Sequence, residues 1–495
     1  MSRILVGVDI GTSSVKAAAF DETGMLIGKS SASIDTFNPQ PNWAEQEPSQ
    51  WWEAVCAVLR ELTQGIDPEQ IIALGLSGQC PGHVLVDAQH HPLGRAIIWS
   101  DHRAVEEAKW LSESISNAQA VAWVGSGYLG DPSCPPARLL WLNKHRHADV
   151  ERSIAVIQPK DFIALNLTGE IHTDPLSAYC LANPQTDRYD ERFFATLGFP
   201  VKLMPPVIKA TAIVGRVTPL ASQSTGIKAG TPVIIGTIDA YCDNLAGGVL
   251  YSGRAVDVAG TSEIVSLAIP EKLNNPEIYT TNLDDSGYWL CNPMQCGGDV
   301  LRWLAHCFYP EFGRTIKYDL MEQEASSVPA GSGGLIFLPY LCGERAPIWD
   351  SEAKGAFIGI TSAHDRPYFT RAVYESIGFA IRHTLDISEA AAGFLAKDFV
   401  ICGGGSRSQF WNQVKADILQ RTVTPTEVSQ TGCLGAAILA GVGVGIYHNL
   451  KDACGNMIQT KAAIKPDVEN KRVYEKMYQW YRDFYPALKT VWTKK

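Results

Sequence analysis

Two segments about half a chain apart share one pattern, and the pair constrains the fold more than any other feature. Residues 4–20 read as a strand (Ile4 to Ile10), a polar turn (Gly11-Thr12-Ser13-Ser14) and a second strand (Val15 to Phe20). Asp21 to Gly24 then form a hairpin turn, and Met25 to Gly28 open a third strand. Residues 254–268 repeat the theme with a strand (Ala255 to Ala259), Gly260-Thr261-Ser262 and a strand (Ile264 to Ala268). Such a turn lets backbone N–H groups and hydroxyls close on a phosphate. Asp9, at the end of the first strand, can hold Mg²⁺ directly or through water, and Lys16 adds a cation. Neither turn is a Walker loop or a G-x-G-x-x-G, because the glycines are too few and a strand follows instead of a helix. Either copy alone also reads as an ordinary hairpin with a hydroxyl-rich turn. Together they point to two similarly built domains gripping one polyphosphate.

The 495 residues exceed what one core organises, so two large α/β domains are expected, at 1–250 and 251–495. The last helix, from about 467, is a candidate to pack back on the N-terminal domain. Lys+Arg 42 against Asp+Glu 52 leaves −10, which argues against a nucleic-acid binder and favours a cytoplasmic protein. No cleavable signal is expected, and the apolar run Leu434 to Tyr447 is too short to span a bilayer. The 12 cysteines show no C-x-x-C pair and read as reduced core residues. The 11 histidines form no metal pattern, so a metal is expected to arrive with a nucleotide.

Several buried strands end in small or polar residues, which is where α/β folds place ligands. Ile71 to Leu76 ends in Ser77-Gly78-Gln79-Cys80-Pro81-Gly82, and Ala96 to Trp99 delivers Asp101 and Arg103. The strand opened by Thr231-Pro232 ends at Asp239, where a helix begins. Gly297-Gly298-Asp299 opens a helix, and Phe399 to Cys402 ends in Gly403-Gly404-Gly405-Ser406. Three glycines between strand and helix let backbone approach a flat or phosphate-bearing ligand. The final helix, 467–494, carries the aromatic stripe Tyr474, Tyr478, Trp480 and Tyr485, which reads as packing.

Over roughly residues 4 to 487 the chain resembles the FGGY family of carbohydrate kinases, and its xylulokinase-like members above all. Gly355-Ala356-Phe357-Ile358-Gly359-Ile360, with Tyr368 to Glu375 after it, looks like the C-terminal signature, although Tyr368 stands where a polar residue is usual. Ser133 to Leu142 is similar to the N-terminal signature, with Arg138 in place of lysine. Trp-Ala-Glu at 43–45, Pro-Lys-Asp at 159–161, Gly-Glu-Arg-Ala-Pro at 343–347 and Gly-Gly-Gly-Ser at 403–406 look like further landmarks. The resemblance implies two actin-like (ribonuclease H-like) domains with ATP and sugar in the cleft between them, and a homodimer as a candidate assembly. It assigns Asp9 to the Mg²⁺–phosphate site, with Gly11, Thr12 and Ser13 near the transferred phosphoryl. Gly260, Thr261, Ser262 and Gly298 would lie along the phosphates, and Gly404, Gly405 and Asn412 would border the adenosine.

Asp239 and Asp243 both compete for the role of catalytic base. The family's base follows a Pro-initiated strand without a gap, and counting from Pro232 lands on Asp239. Asp239 also stands at a strand end and a helix N-terminus, whereas Asp243 lies a helical turn inside. Asp239 is therefore the expected base, accepting the proton of a sugar hydroxyl during in-line phosphoryl transfer. Gln79-Cys80-Pro81-Gly82 stands where xylulokinases carry Met-His-Gly, with Cys80 and Pro81 in place of the methionine and histidine. Asp101 and Ser133 join Gln79, Cys80 and Pro81 as candidate substrate contacts. Pro81 offers neither a polar side chain nor an N–H, so the expected substrate is a pentulose such as xylulose or a related ketose or polyol. Ribulose, glycerol and erythritol are alternatives. Two rival classes are a catalytically dead sugar-binding regulator and an actin-like filament protein; intact Asp9, Asp239 and both turns argue against the first.

Overall fold

The computed structural model describes residues 3–127, 129–273, 280–282, 287–313 and 315–492. The chain divides into two compact units. The first runs up to Cys242 and takes in Gly432–Met457; the second is Asp243–Thr431 with the chain from Ile458 onward.

In the first unit, β1 (Ile4–Ile10), β2 (Ser14–Asp21) and β3 (Leu26–Ser33) form an antiparallel meander. On the other side of β1 lie β4 (Ile71–Gly78) and β5 (Pro232–Ile238), both parallel in succession, and β6 (Ile213–Arg216) closes that edge. In the second unit, β7 (Arg254–Ala259), β8 (Glu263–Ile269) and β9 (Tyr288–Pro293) are antiparallel neighbours. β10 (Asp398–Cys402) and β11 (Val423–Pro425) continue in parallel on the other side of β7. The internal repeat is thus a repeat of topology: the same central strand, the same meander, the same parallel flank. Parallel flanking strands all end beside the turn that leaves the central strand, which gathers their C-terminal residues at one edge.

Strand alternation sorts the first sheet into two faces. Ile4, Val6, Val8 and Ile10 join Leu74 and Leu76 in a core built with α1 (Pro48–Thr63) and α2 (Pro159–Thr168). The other face meets α3 (Thr431–Gly443) at backbone distance. A Cβ on Gly7 would lie 1.8 Å from the Cys433 carbonyl oxygen, one on Gly75 1.9 Å from that of Ala436, and one on Gly435 2.1 Å from that of Cys242. Only glycine permits this approach. The helix ends at Gly443, short of the Tyr447 expected from its apolar run, because the chain turns back through Gly445 at φ +76°.

The last helix, Lys471–Trp492, lies in the second unit. Tyr474 and Tyr478 of its aromatic stripe are core there, donating to Glu375 and Asp386, and Tyr485 is partly buried against that core. Trp480, expected to pack with them, is exposed, and Tyr481 takes the inward position, its hydroxyl 2.6 Å from that of Tyr340. Among the described residues, no helix is long and apolar enough to cross a membrane.

Candidate active site

The β1–β2 turn is held from three sides. Gly11 N–H donates to the Ser14 carbonyl, which closes it. Gln46 donates to the Thr12 carbonyl at 2.6 Å, and Trp99 Nε1 donates to Thr12 Oγ1 at 2.8 Å. Gln79 donates to Gln46 Oε1 at 2.7 Å and to the Gly11 carbonyl at 3.3 Å. Gln79, expected beside the sugar, thus also braces the β1–β2 turn. Asp9 is buried behind this turn, where its Oδ1 accepts the Ser77 hydroxyl at 2.8 Å, while Lys16 Nζ stands 4.0 Å from Oδ2. Ser13 at the tip is exposed.

Asp239 opens the helix Asp239–Ala246 and is half-buried. Its carboxyl is pushed up to about 7, first by desolvation and second by the charge of Asp9; the Ala240 N–H and Lys16 pull the other way. A carboxyl balanced near neutrality is suited to taking a proton. Asp243, one turn on, accepts the Thr431 hydroxyl at 2.5 Å. Near Cys80 lies an ionic cluster given no role by the sequence reading. Lys160 Nζ is 2.6 Å from Asp161 Oδ1 and 2.9 Å from Asp174 Oδ1, and all three side chains are fully buried. Its only local signal is a Lys-Asp pair at the head of an otherwise apolar helix.

Cys80 is half-buried, and its thiol is pushed well up, first by desolvation, then by Asp174 and Asp239; Lys160 opposes them. Cys80 and Asp239 thus share one field. The Pro81 carbonyl accepts from Arg138 Nη1, and Arg138 Nη2 donates to the carbonyls of Trp99 and Asp101. Burial pulls the Arg138 guanidinium down from its ordinary value. The arginine fork, in the place of a lysine, ties three segments of the wall together. Asp101 is fully buried, and its two oxygens accept from Ala44 N–H and from Arg103 N–H, Nε and Nη2 at 2.6–2.9 Å. Arg103 in turn lies over the Trp43 ring at 3.7 Å and pairs with Glu45. Asp101 is thereby committed to holding the Trp-Ala-Glu segment. Ser133 is committed to Asp131 in a local turn, at 2.7 Å from both its N–H and its hydroxyl.

In the second unit the β7–β8 turn is matched. Gly260 and Thr261 are exposed, and their carbonyls accept from Gly298 N–H at 3.1 Å and Asp299 N–H at 2.9 Å. A Cβ on Gly298 would lie 2.6 Å from the Gly260 carbonyl oxygen, so a side chain there would displace the turn. After β10, Gly404 is exposed and Gly405 half-buried, and Asn412 donates to the Ser406 carbonyl at 2.9 Å, so it braces this turn from inside. Beneath Ser262 a second buried cluster appears: Lys415 Nζ is 2.6 Å from Asp257 Oδ2 and 3.7 Å from Glu263 Oε2. Burial first and Asp257 second push the Glu263 carboxyl well up.

Two matched sheets, each turning through a partly exposed Gly-Thr-Ser loop, with a carboxylate and an acid of raised pKa in the first, fit a two-domain phosphotransferase. The comparisons with known proteins agree. The N-terminal domain of the FGGY family of carbohydrate kinases matches residues 4–246, and its C-terminal domain matches residues 255–444. The chain is 28% identical to a xylulose kinase of Staphylococcus epidermidis over 99% of this chain and 98% of that one. It is 29% identical to the L-xylulose/3-keto-L-gulonate kinase of Escherichia coli over 99% and 98% of the two chains. A solved ligand-bound xylulose kinase from Lactobacillus acidophilus superposes with a TM-score of 0.87 at 26% identity, covering 99% of each chain. The chain belongs to the FGGY family of carbohydrate kinases, with two actin-like domains, and is an ATP-dependent carbohydrate kinase of xylulokinase-like type.

Proposed function

We propose that the protein phosphorylates a hydroxyl of an uncharged ketose or polyol, of the xylulose type, with Asp239 as general base. The observation that carries this is the Asp239 carboxyl, pushed up to about 7 at the end of a parallel strand beside Asp9. The sugar hydroxyl gives its proton to Asp239 while its oxygen forms a bond to the γ-phosphorus, and ADP departs with the electrons of the broken P–O bond. Asp243 is a weaker candidate because the Thr431 hydroxyl already occupies its carboxylate.

Asp9 offers Mg²⁺ a hard oxygen donor, and the Gly11–Ser13 turn offers amides and hydroxyls to phosphate, so the residues fit both. Mg²⁺ bound with the nucleotide spreads the charge of the phosphoryl group in transfer. Gly260 to Ser262, Gly298, Gly404 and Gly405 keep the second turn open to phosphates and nucleoside. Asp9→Asn and Thr261→Val are each expected to lower kcat/KM for MgATP by about 10²-fold. Calorimetric titration with the sugar alone is expected to stay unchanged; a lost sugar isotherm with intact nucleotide binding reverses the assignment. ATP as donor places the work in the cytoplasm.

An uncharged substrate is favoured because the cations around Cys80 are engaged. Lys160 is held by Asp161 and Asp174, Arg103 by Asp101 and Glu45, and Arg138 by three carbonyls. A sugar carboxylate would meet Asp174 and Asp239 instead. The test is an ADP-release screen over pentuloses, hexuloses, C4–C6 polyols and sugar acids. A sugar acid as best substrate overturns the uncharged class, and no turnover with any of them overturns the kinase reading.

Cys80 and Pro81 make a small wall, poor in donors. A buried sugar hydroxyl left without a partner costs roughly 1–3 kcal/mol. D-xylulose is therefore expected to be a poorer substrate than a ketose or polyol differing at the hydroxyl that faces this wall. The double change Cys80→Met, Pro81→His is expected to raise kcat/KM for D-xylulose about tenfold relative to the native substrate. Wild-type turnover of D-xylulose at ordinary kinase efficiency, with no better substrate in the screen, overturns the expectation.

A further inference from the structure

Thr237 stands two residues before Asp239 and is fully buried. Its hydroxyl donates to Asp174 Oδ2 at 2.7 Å, and the Leu176 N–H donates to the same oxygen at 3.1 Å. The other oxygen of Asp174 is the one that faces Lys160, itself clamped by Asp161. The strand that carries Thr237 is irregular at this point. Its pairing with β4 shifts register between Ile234 and Thr237. Between them Gly236 adopts φ +66°, where a Cβ would lie 1.6 Å from the Leu76 carbonyl oxygen. Such a bulge re-aims the residues that follow it. Pairing resumes with Thr237 opposite Ser77, the residue whose hydroxyl donates to Asp9. The direction in which Asp239 leaves the sheet is therefore set after a break in the ladder, at a residue anchored through its side chain.

We infer that Asp174, clamped by Lys160, is a positioning residue: through the Thr237 hydroxyl it fixes the re-entry of β5 after the bulge and so aims Asp239. The inference rests on the reading of Asp239 as the base. It differs from a purely structural role for the ionic cluster, which would affect stability without a selective effect on turnover. Thr237→Val keeps the shape and removes the hydroxyl; Thr237→Ser keeps the hydroxyl and removes a methyl.

The experiment measures kcat, both KM values and the pH profile of these two variants, using MgATP and the best sugar from the ADP-release screen. Thr237→Val is expected to lower kcat about 10- to 100-fold, the scale of a misplaced reacting group, with KM values within about twofold. Thr237→Ser is expected to stay within about twofold of wild type in kcat. The rising limb of the pH profile is expected not to move in either, because the Asp9 and Lys16 charges that face Asp239 are untouched. If Thr237→Val does not fold, Thr237→Ala carries the same expectations. Wild-type kcat in the hydroxyl-free variant, a loss in Thr237→Ser as large as in Thr237→Val, or a loss confined to KM overturns the inference. Asp239→Asn is assayed alongside. If it remains active, the base assignment itself fails; if it is inactive while Thr237→Val is unaffected, only the positioning role fails.

Discussion

Asp239→Asn is expected to lower sugar phosphorylation by about 10²–10⁴-fold while MgATP binding stays within a few fold. Asparagine keeps the size of the side chain and an oxygen for the Ala240 N–H, but it cannot take a proton. Asp243→Asn, by contrast, is expected to retain turnover; the reverse outcome transfers the role. The pH dependence has a definite sign. The base works only when ionised, and desolvation with the Asp9 charge pushes its carboxyl up to about 7. kcat/KM is therefore expected to rise with pH through that region and level off above it. A raised carboxyl also makes the wild-type fold lose stability as pH rises from the ordinary aspartate range to about 7, because the folded state keeps a proton that the unfolded chain releases. Asp239→Asn has no such proton to hold. It is expected to gain in melting temperature over wild type at about pH 8, with the gain shrinking towards about pH 4. A variant both inactive and more stable at alkaline pH is the signature of an acid kept for chemistry.

Lys160→Met is expected to give the largest loss of stability among single changes in the first unit. It removes the ammonium that Asp161 and Asp174 share and leaves two buried carboxyls without their cation. Breaking a buried ion pair by removing one partner costs about 3–5 kcal/mol. Burial already pushes the Asp161 carboxyl up, with Lys160 opposing. In the variant that opposition is gone, so the Asp161 carboxyl holds its proton more strongly in the folded than in the unfolded chain. The loss is therefore expected to be greatest at about pH 8 and to shrink towards about pH 5. Denaturant unfolding at the two pH values measures it, and equal losses at both would show that packing, not charge, dominates.

Much of the fold is legible in the sequence because its signals are local. The strand–turn–strand units announce themselves by alternation and small residues within 17 or fewer positions, and Asp239 is marked by the Pro-initiated apolar strand it ends. The ionic clusters are local only in the Lys160–Asp161 pair; Asp174 and the second cluster are not. Lys415 and Asp257 are 158 positions apart, and nothing near either residue names the other. Gln79 and Asp101 looked like ligand contacts because polar residues at strand ends often are. Whether such a residue faces a ligand or braces a turn depends on partners from elsewhere: Gln46 Oε1 accepts from Gln79, and Ala44 and Arg103 donate to Asp101. The glycines of α3 meet the sheet at backbone distance, but their spacing carries no hint of which sheet that is.

That last packing bears on how the chain is made. Residues 3–242 are made before Gly432–Met457, whose backbone lies against the sheet face bearing Gly7 and Gly75. At about 5–20 residues per second, the wait between Cys242 and Met457 is on the order of 10–40 seconds. The intervening unit, Asp243–Thr431, is nearly contiguous and can reach most of its own contacts during that interval. The first unit is thus completed only after most of the second has been synthesised.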